Sequence, residues 1–219
     1  MAMTQMQVHA ATQGERTKDA AVAAWLWSVA AIVVLMILVG GATRLTDSGL
    51  SITEWQPIMG AIPPLSDKDW EIAFAKYREI PEYKLVNKGM SLDDFKTIFW
   101  WEWGHRFLGR LIGLVFAVPL GTFWVLGWLR PGLAPKLVAL LALGGLQGGI
   151  GWYMVQSGLV ERVDVSQYRL ALHLTIAFVI LGATVWLALS LGHDDRTARL
   201  RTADHSDRRR AAMIAMLVL

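Results

Sequence analysis

Residues 20–41 read AAVAAWLWSVAAIVVLMILVGG. A hydrocarbon core about 30 Å thick needs about 20 apolar residues in a helix, and this run supplies them without a single charge. Three further runs qualify: Phe107 to Leu129, Leu137 to Val155 and Leu170 to Leu191, with Arg110 the one basic residue inside the second. The reading is an all-α integral membrane protein, a four-transmembrane-helix bundle. Composition agrees, with 54% apolar and only 18% charged residues and a mean hydropathy of +0.40. The first run exceeds the usual core of a signal peptide and no convincing small-residue cleavage site follows it, so it is expected to stay in the protein. The absence of cysteine excludes disulfide frameworks, thiolate zinc sites, iron–sulfur clusters and a cysteine nucleophile from this chain. A net charge of +3 gives no reason to expect nucleic acid.

Orientation follows from Lys and Arg near the spans. Arg16, Lys18, Arg130, Lys136, Arg196, Arg199, Arg201, Arg208, Arg209 and Arg210 all fall on one side when the helices alternate, whereas the opposite short loop carries only Arg162 and Arg169. The expected organisation is a cytoplasmic N-terminal tail over 1–19, a membrane bundle over 20–191 with an outer loop over 44–100, and a cytoplasmic linker over 192–210. A fifth apolar run begins at Ala211 and reaches Leu219, too short to cross a bilayer. It reads as the truncated start of a fifth span, so the chain is expected to be part of a longer protein. Trp25, Trp27, Trp124 and Trp128 are expected at the inner interface, and Trp100, Trp101, Trp103, Trp152 and Tyr168 at the outer one, as in an aromatic belt.

The outer loop is long for a link between neighbouring spans and is expected to carry short helices. Ser66 with Asp69 and Ser91 with Asp94 have the spacing of capping boxes, and the second predicted helix runs on into the second span. Trp70, Phe74 and Tyr77 share a face at i, i+4, i+7. That face fits either the membrane surface or the mouth of the bundle.

Ionisable groups at membrane depth are costly and point to function. Of the five histidines, His9, His193 and His205 lie in polar segments, while His105 opens the second span and His173 the fourth. Two imidazoles at one depth on separate helices can hold haem iron, the metal reading of this pair, although a lone intramembrane histidine is as often a packing residue. Glu102, His105 and Arg106 share an arc of their helix. Glu102 fits three roles: a catalytic acid or base, a partner fixing the imidazole, or a carboxylate paired with Arg106 four residues on. Arg106 and Arg110 fit cofactor binding through haem propionates, and equally fit snorkelling to water. The small residues Gly109, Gly113, Ala117 and Gly121 permit close approach of a helix or a macrocycle, and Gly144, Gly145, Gly148 and Gly149 read as helix packing. Glu-x-x-His also occurs in di-iron bundles, but the other spans lack the further carboxylates such a site needs.

The run GGATRLTDSGLSITEWQPIMGAIPP at 40–64 resembles haem A synthase of the proteobacterial and mitochondrial type. The resemblance continues through EWGHRFLGR at 102–110, GGLQGGIGWYMVQSGLV at 144–160 and VSQYRLALHL at 165–174. It implies half of an eight-helix pseudo-repeat in the bacterial inner membrane, N-terminus cytoplasmic, acting as an oxidoreductase that turns the ring methyl of haem O into a formyl group to make haem A for cytochrome oxidase. His105 and His173 match the family's N-terminal histidine pair, and Glu102 its functionally important carboxylate. A b-type haem is expected in the other half, whose histidine pair lies beyond Leu219. Some relatives carry a cysteine pair in the first outer loop; this chain has none, which removes any thiol step from it. The partners implied are haem O and the lipid bilayer, with haem O synthase, an electron donor and a second copy of the chain as further candidates. Two other functions share the same ligands: a bis-histidine membrane cytochrome that only carries electrons, and a haem-transfer protein.

Overall fold

The computed structural model describes the backbone of residues 2–161 and 163–217, and side chains for Gln7, 13–160 and 163–192. Six α-helices follow in order: α1 Ala2–Leu45, α2 Asp67–Tyr77, α3 Pro81–Leu85, α4 Leu92–Val125, α5 Leu133–Glu161 and α6 Gln167–Leu217. A 3-10 turn at Met59–Ala61 lies in the loop before α2. Among the described residues, the stretches Gln13–Leu45, Leu92–Val125, Leu133–Val160 and Gln167–Gly192 are long and apolar enough to cross a membrane. These are the four spans expected from hydropathy; the first, third and fourth are longer at both ends, whereas the second starts earlier, at Leu92, and stops at Val125, short of the expected Leu129, with Gly127 at positive φ just beyond. The side chains of His9, His193 and His205, the linker arginines, Arg162 and the 211–219 segment lie outside the described set.

Both capping boxes form. Ser66 Oγ accepts from the Asp69 amide at 3.2 Å and Ser91 Oγ from the Asp94 amide at 3.1 Å, while each aspartate reaches back to the serine amide. Each pair satisfies orphan amides of a first turn and puts negative charge at the positive end of the helix dipole. The second box starts α4 well before its apolar stretch, so one continuous helix carries the loop layer into the bundle, as the sequence predicts.

The four long helices adjoin in the ring order α1, α4, α5, α6, and no diagonal pair shares a packed face among the described residues. Two apolar cores hold this ring together. At the end near the chain termini, Leu26, Val29, Phe116, Leu137 and Ala188 interlock. At the loop end, Trp70, Phe74 and Tyr77 of α2 pack on Phe95 and Phe99 of α4. The aromatic face of α2 therefore caps the bundle mouth; of its two open readings, this is the one realised. Trp25 departs from the expected belt: it is buried, lies 5.1 Å from the Phe116 ring centroid and donates its indole N–H to the Val115 carbonyl at 2.7 Å. Trp27 and Trp124 stay exposed.

Between the two cores the interior changes character. Buried apolar side chains stop at Val33 on α1, Phe116 on α4, Leu140 on α5 and Ala188 on α6, and resume only at Leu50, Phe99, Met154 and Val165. In the slab between them the buried side chains are polar: Thr43, Ser48, Glu102, Ser166 and Thr184. At this level the apolar side chains, among them Ile37, Ile112, Ile180 and Leu181, are only partly buried, so the four helices pack less closely here than at either end.

Phe95 is completely buried and stacks on Phe74 at 5.0 Å. Phe95→Ala should destabilise the loop layer by about 3–5 kcal/mol, read as a lowered thermal unfolding midpoint in detergent; an unchanged midpoint would mean α2 is not held by this core.

Candidate functional site

Glu102, Arg106 and Arg110 recur every four residues on α4 and so form a stripe along one face. The structure turns that stripe toward the loop. Glu102 is 2% exposed. Its Oε2 accepts from Ser51 Oγ at 2.7 Å and from the Ile52 amide at 2.6 Å, and its Oε1 accepts from Arg106. The pairing read from the i, i+4 spacing is present, but the two loop donors are what bury it. Arg106 also donates to the carbonyls of Ile52 at 2.8 Å and Glu54 at 3.0 Å. Arg110 donates to those of Pro57 at 2.8 Å and Gln56 at 3.0 Å. Three charged side chains thus fasten residues 51–57 to α4. Of the two open readings for the arginines, neither is complete: both guanidinium groups are occupied by backbone carbonyls, yet Arg110 Nη1 is buried with no partner.

The histidines sit on the diagonal pair of helices. His105, on α4, rests against α1 where Gly40 lies, so close that a Cβ at Gly40 would stand 3.0 Å from His105 Nε2. His173, on α6, rests on α5 at Gly151 in the same manner, 3.0 Å from a Cβ there. Each imidazole thus packs directly on a glycine backbone, where an added Cβ would force the ring to shift by a few tenths of an ångström. Both rings are half-buried in the slab without an apolar core, and neither makes a hydrogen bond among the described residues; His173 Nδ1 is buried and unpartnered. Buried ring nitrogens without partners are costly unless something else takes their lone pairs. Gln147 of α5 donates to the His173 carbonyl at 2.8 Å and so sets α6 against α5 at this level. Gly40, Gly151, Gln147 and Ser51 all lie in the stretches singled out from sequence, but nothing local marks them as neighbours of the histidines or of Glu102.

Beside the α4 stripe lies a cavity of about 360 Å³ between the loop, α2 and α4, lined by Trp103, Arg106, Arg110 and Lys76. Trp103 Nε1 and Arg110 Nη1, both buried and unpartnered, belong to its walls. Such donors fit an anionic oxygen. Lys76 is already paired with Glu54 at 2.7 Å.

The loop layer holds one more buried carboxyl. Glu82 Oε1 accepts from the Tyr77 hydroxyl at 3.2 Å and from Asn87 Nδ2 at 3.4 Å, while its Oε2 has no partner. Burial, aided by the negative charges of Glu102, Asp47 and Asp164, pushes its pKa up to about 7. No group of three or more ligand-type side chains able to hold a bare metal ion occurs among the described residues.

Residues 23–219 match the COX15-CtaA family, described as cytochrome oxidase assembly protein. The chain is 60% identical over 177 residues to a protein of Maricaulis maris (strain MCS10) named "Heme A synthase", covering 81% of this chain and 52% of that one. It is 56% identical over 200 residues to a Mesorhizobium japonicum protein of the same name, covering 91% and 54%. A Brucella ovis protein, also so named, is 51% identical over 214 residues, covering 98% and 58%. The chain therefore spans about half the length of the curated relatives it matches. No solved structure matches it.

Because the folded pKa of Glu82 lies above the ordinary carboxyl value of 4.5, the folded loop layer holds a proton that the unfolded chain releases. That stabilisation is complete below about 4.5 and is lost as pH rises through about 7. Thermal stability should fall across this window, and Glu82→Gln should flatten the dependence; an equally steep slope in the variant would assign it to other groups.

Proposed function

As the chain belongs to the COX15-CtaA family of cytochrome oxidase assembly proteins, we propose that its bundle is the half of a haem A synthase in which the ring methyl of haem O is oxidised to a formyl group. Four membrane-competent helices make it a multi-pass membrane protein. The observation that carries the reading is the slab without an apolar core, bordered by two imidazoles from diagonal helices.

The residues present suit a haem substrate. His105 and His173 would hold its iron, each seated on a glycine and each free of competing hydrogen bonds among the described residues. A macrocycle would supply the apolar surface that the slab lacks, which the hydrophobic term rewards at about 25 cal/mol per Å². Arg110 Nη1 and Trp103 Nε1 are the donors available for a propionate, with Arg106 beside them. Bound haem supplies the redox chemistry; the protein places the methyl, tunes the iron and limits water. Glu102 lies one helical turn from His105. Its carboxylate, held by Ser51, Ile52 and Arg106, serves as a fixed negative charge facing positive charge that develops at the methyl carbon, or takes the proton lost there. The clamp formed by Glu102, Arg106 and Arg110 closes the loop over this end of the bundle and keeps water from it.

The remaining parts of the reading rest on the charge pattern and on relatedness. The basic residues flanking the spans support a cytoplasmic N-terminus in the bacterial inner membrane, a cytoplasmic linker over 192–210 and a fifth span from 211. The chain covers about half of each relative; a second, similar four-helix half that carries a b-type haem, with haem O synthase and an electron donor as partners, is what the family resemblance implies.

Co-expression of the complete protein with a haem O supply, followed by chromatography of extracted haems, tests the reading. Haem A should accumulate with the parent protein; recovery of unaltered haem only would make it an electron carrier or a haem-transfer protein. Glu102→Gln should keep haem bound while formyl product falls at least about tenfold, a loss of about 1.4 kcal/mol in transition-state stabilisation. An unchanged yield would take Glu102 out of the chemistry. Gly151→Val should displace the His173 ring and lower bound haem without unfolding the bundle, as measured by pyridine haemochrome per protein; full haem content would show that the glycine seat is dispensable.

A further inference from the structure

The segment WQPIMGAIPPL at 55–65 contains no charged residue although it belongs to a loop. Its apolar side chains point away from the protein: Ile58 is 82% exposed, Met59 65% and Ile62 58%. Such a cluster of exposed apolar groups marks a contact with a partner or a membrane. Its position on α4 decides between them. Arg110 holds the Gln56 and Pro57 carbonyls, and a Cβ at Gly60 would stand 2.9 Å from Arg110 Nη2, so the segment lies directly on Arg110. At about 1.5 Å per residue, Arg110 is roughly 22 Å of helix from the end of α4 at Val125, less than the hydrocarbon thickness of about 30 Å. Phe107 and Leu114, on the same face one turn to either side of Arg110, are exposed apolar side chains on a membrane-competent helix. The segment is thus continuous with the exposed apolar face of a spanning helix.

Its backbone is also suited to that place. Non-helical chain at membrane depth needs its polar groups satisfied internally. Pro57, Pro63 and Pro64 have no amide hydrogen to satisfy. The amides of Gly60, Ala61 and Ile62 donate back to Gln56, Ile58 and Met59 at 3.0–3.1 Å. Of the remaining carbonyls Arg110 takes that of Pro57, and it shares that of Gln56 with the Gly60 amide. We propose that Trp55 to Leu65 is an interfacial wedge, with Ile58, Met59 and Ile62 immersed in the acyl chains of the leaflet on the loop side. The lipid contact then lies in this turn and not in α2, whose aromatic face is buried. The wedge holds the loop down on the stripe of Glu102, Arg106 and Arg110 from the lipid side.

The absence of cysteine makes the test clean, because any thiol is an introduced one. Ile58→Cys, Met59→Cys and a control, Lys68→Cys, are each spin-labelled in the chain reconstituted into phosphatidylcholine nanodiscs. Collision rates are then measured with oxygen, which partitions into lipid, and with a water-soluble nickel chelate. All three positions are exposed, so the labels replace no buried contact. The oxygen-to-chelate ratio at 58 and 59 should exceed that at 68 by about tenfold, as for side chains sunk 5–10 Å below the headgroups. Equal ratios at the three positions would overturn the proposal. So would chelate access in lipid alone that is lost only on adding a second membrane protein, since the occupant would then be that protein.

Discussion

Helices in lipid gain no hydrophobic free energy by meeting one another, so a membrane bundle stays together through close packing and polar contacts. This one packs at its two ends and leaves the level between them without a single buried apolar side chain. Such a gap would cost the packing of four helices if it remained empty. At this level two imidazoles lie on diagonal helices, each packed on a glycine of a neighbouring helix and neither ring hydrogen-bonded among the described residues. The reading as a haem-handling bundle depends on that gap more than on any individual ligand.

Charges at the edge of the gap are managed together. The buried Glu102 carboxyl is met by a hydroxyl, an amide and a guanidinium; the arginines lie near hydrocarbon because loop carbonyls complete their donor sets. The same bonds satisfy carbonyls that would otherwise lie at membrane depth without water. Loop and helix are thus mutually dependent, and the apolar turn at 57–62 closes the arrangement on its lipid side. At the opposite end, Asp19 and Arg130 meet at 2.6 Å and tie α1 to the turn after α4.

Much of this was legible in sequence, for identifiable reasons. Span number and rough limits follow from run length, a one-dimensional property. The capping boxes, the continuity of α4 and the pairing of Glu102 with Arg106 follow from spacings within one turn. The matched depth of His105 and His173 follows from counting along antiparallel spans. What stayed hidden depends on contacts between distant segments. Ser51 and the Ile52 amide reach Glu102 across some fifty residues, and backbone carbonyls carry no side-chain signature that would name them as arginine acceptors. Gly40 and Gly151 look like ordinary packing glycines until their neighbours are seen. Trp25 was assigned to the interface by residue type, whereas the Val115 carbonyl drew its indole inward.

Ferric electron paramagnetic resonance of the haem-loaded protein probes the shared iron itself, independently of turnover. Two imidazoles on one metal give a low-spin signal. The parent should show it, and His105→Ala and His173→Ala should each convert it to high spin. A low-spin spectrum left unchanged by either substitution would mean that the two rings do not share an iron, and the gap between the two cores would need another occupant.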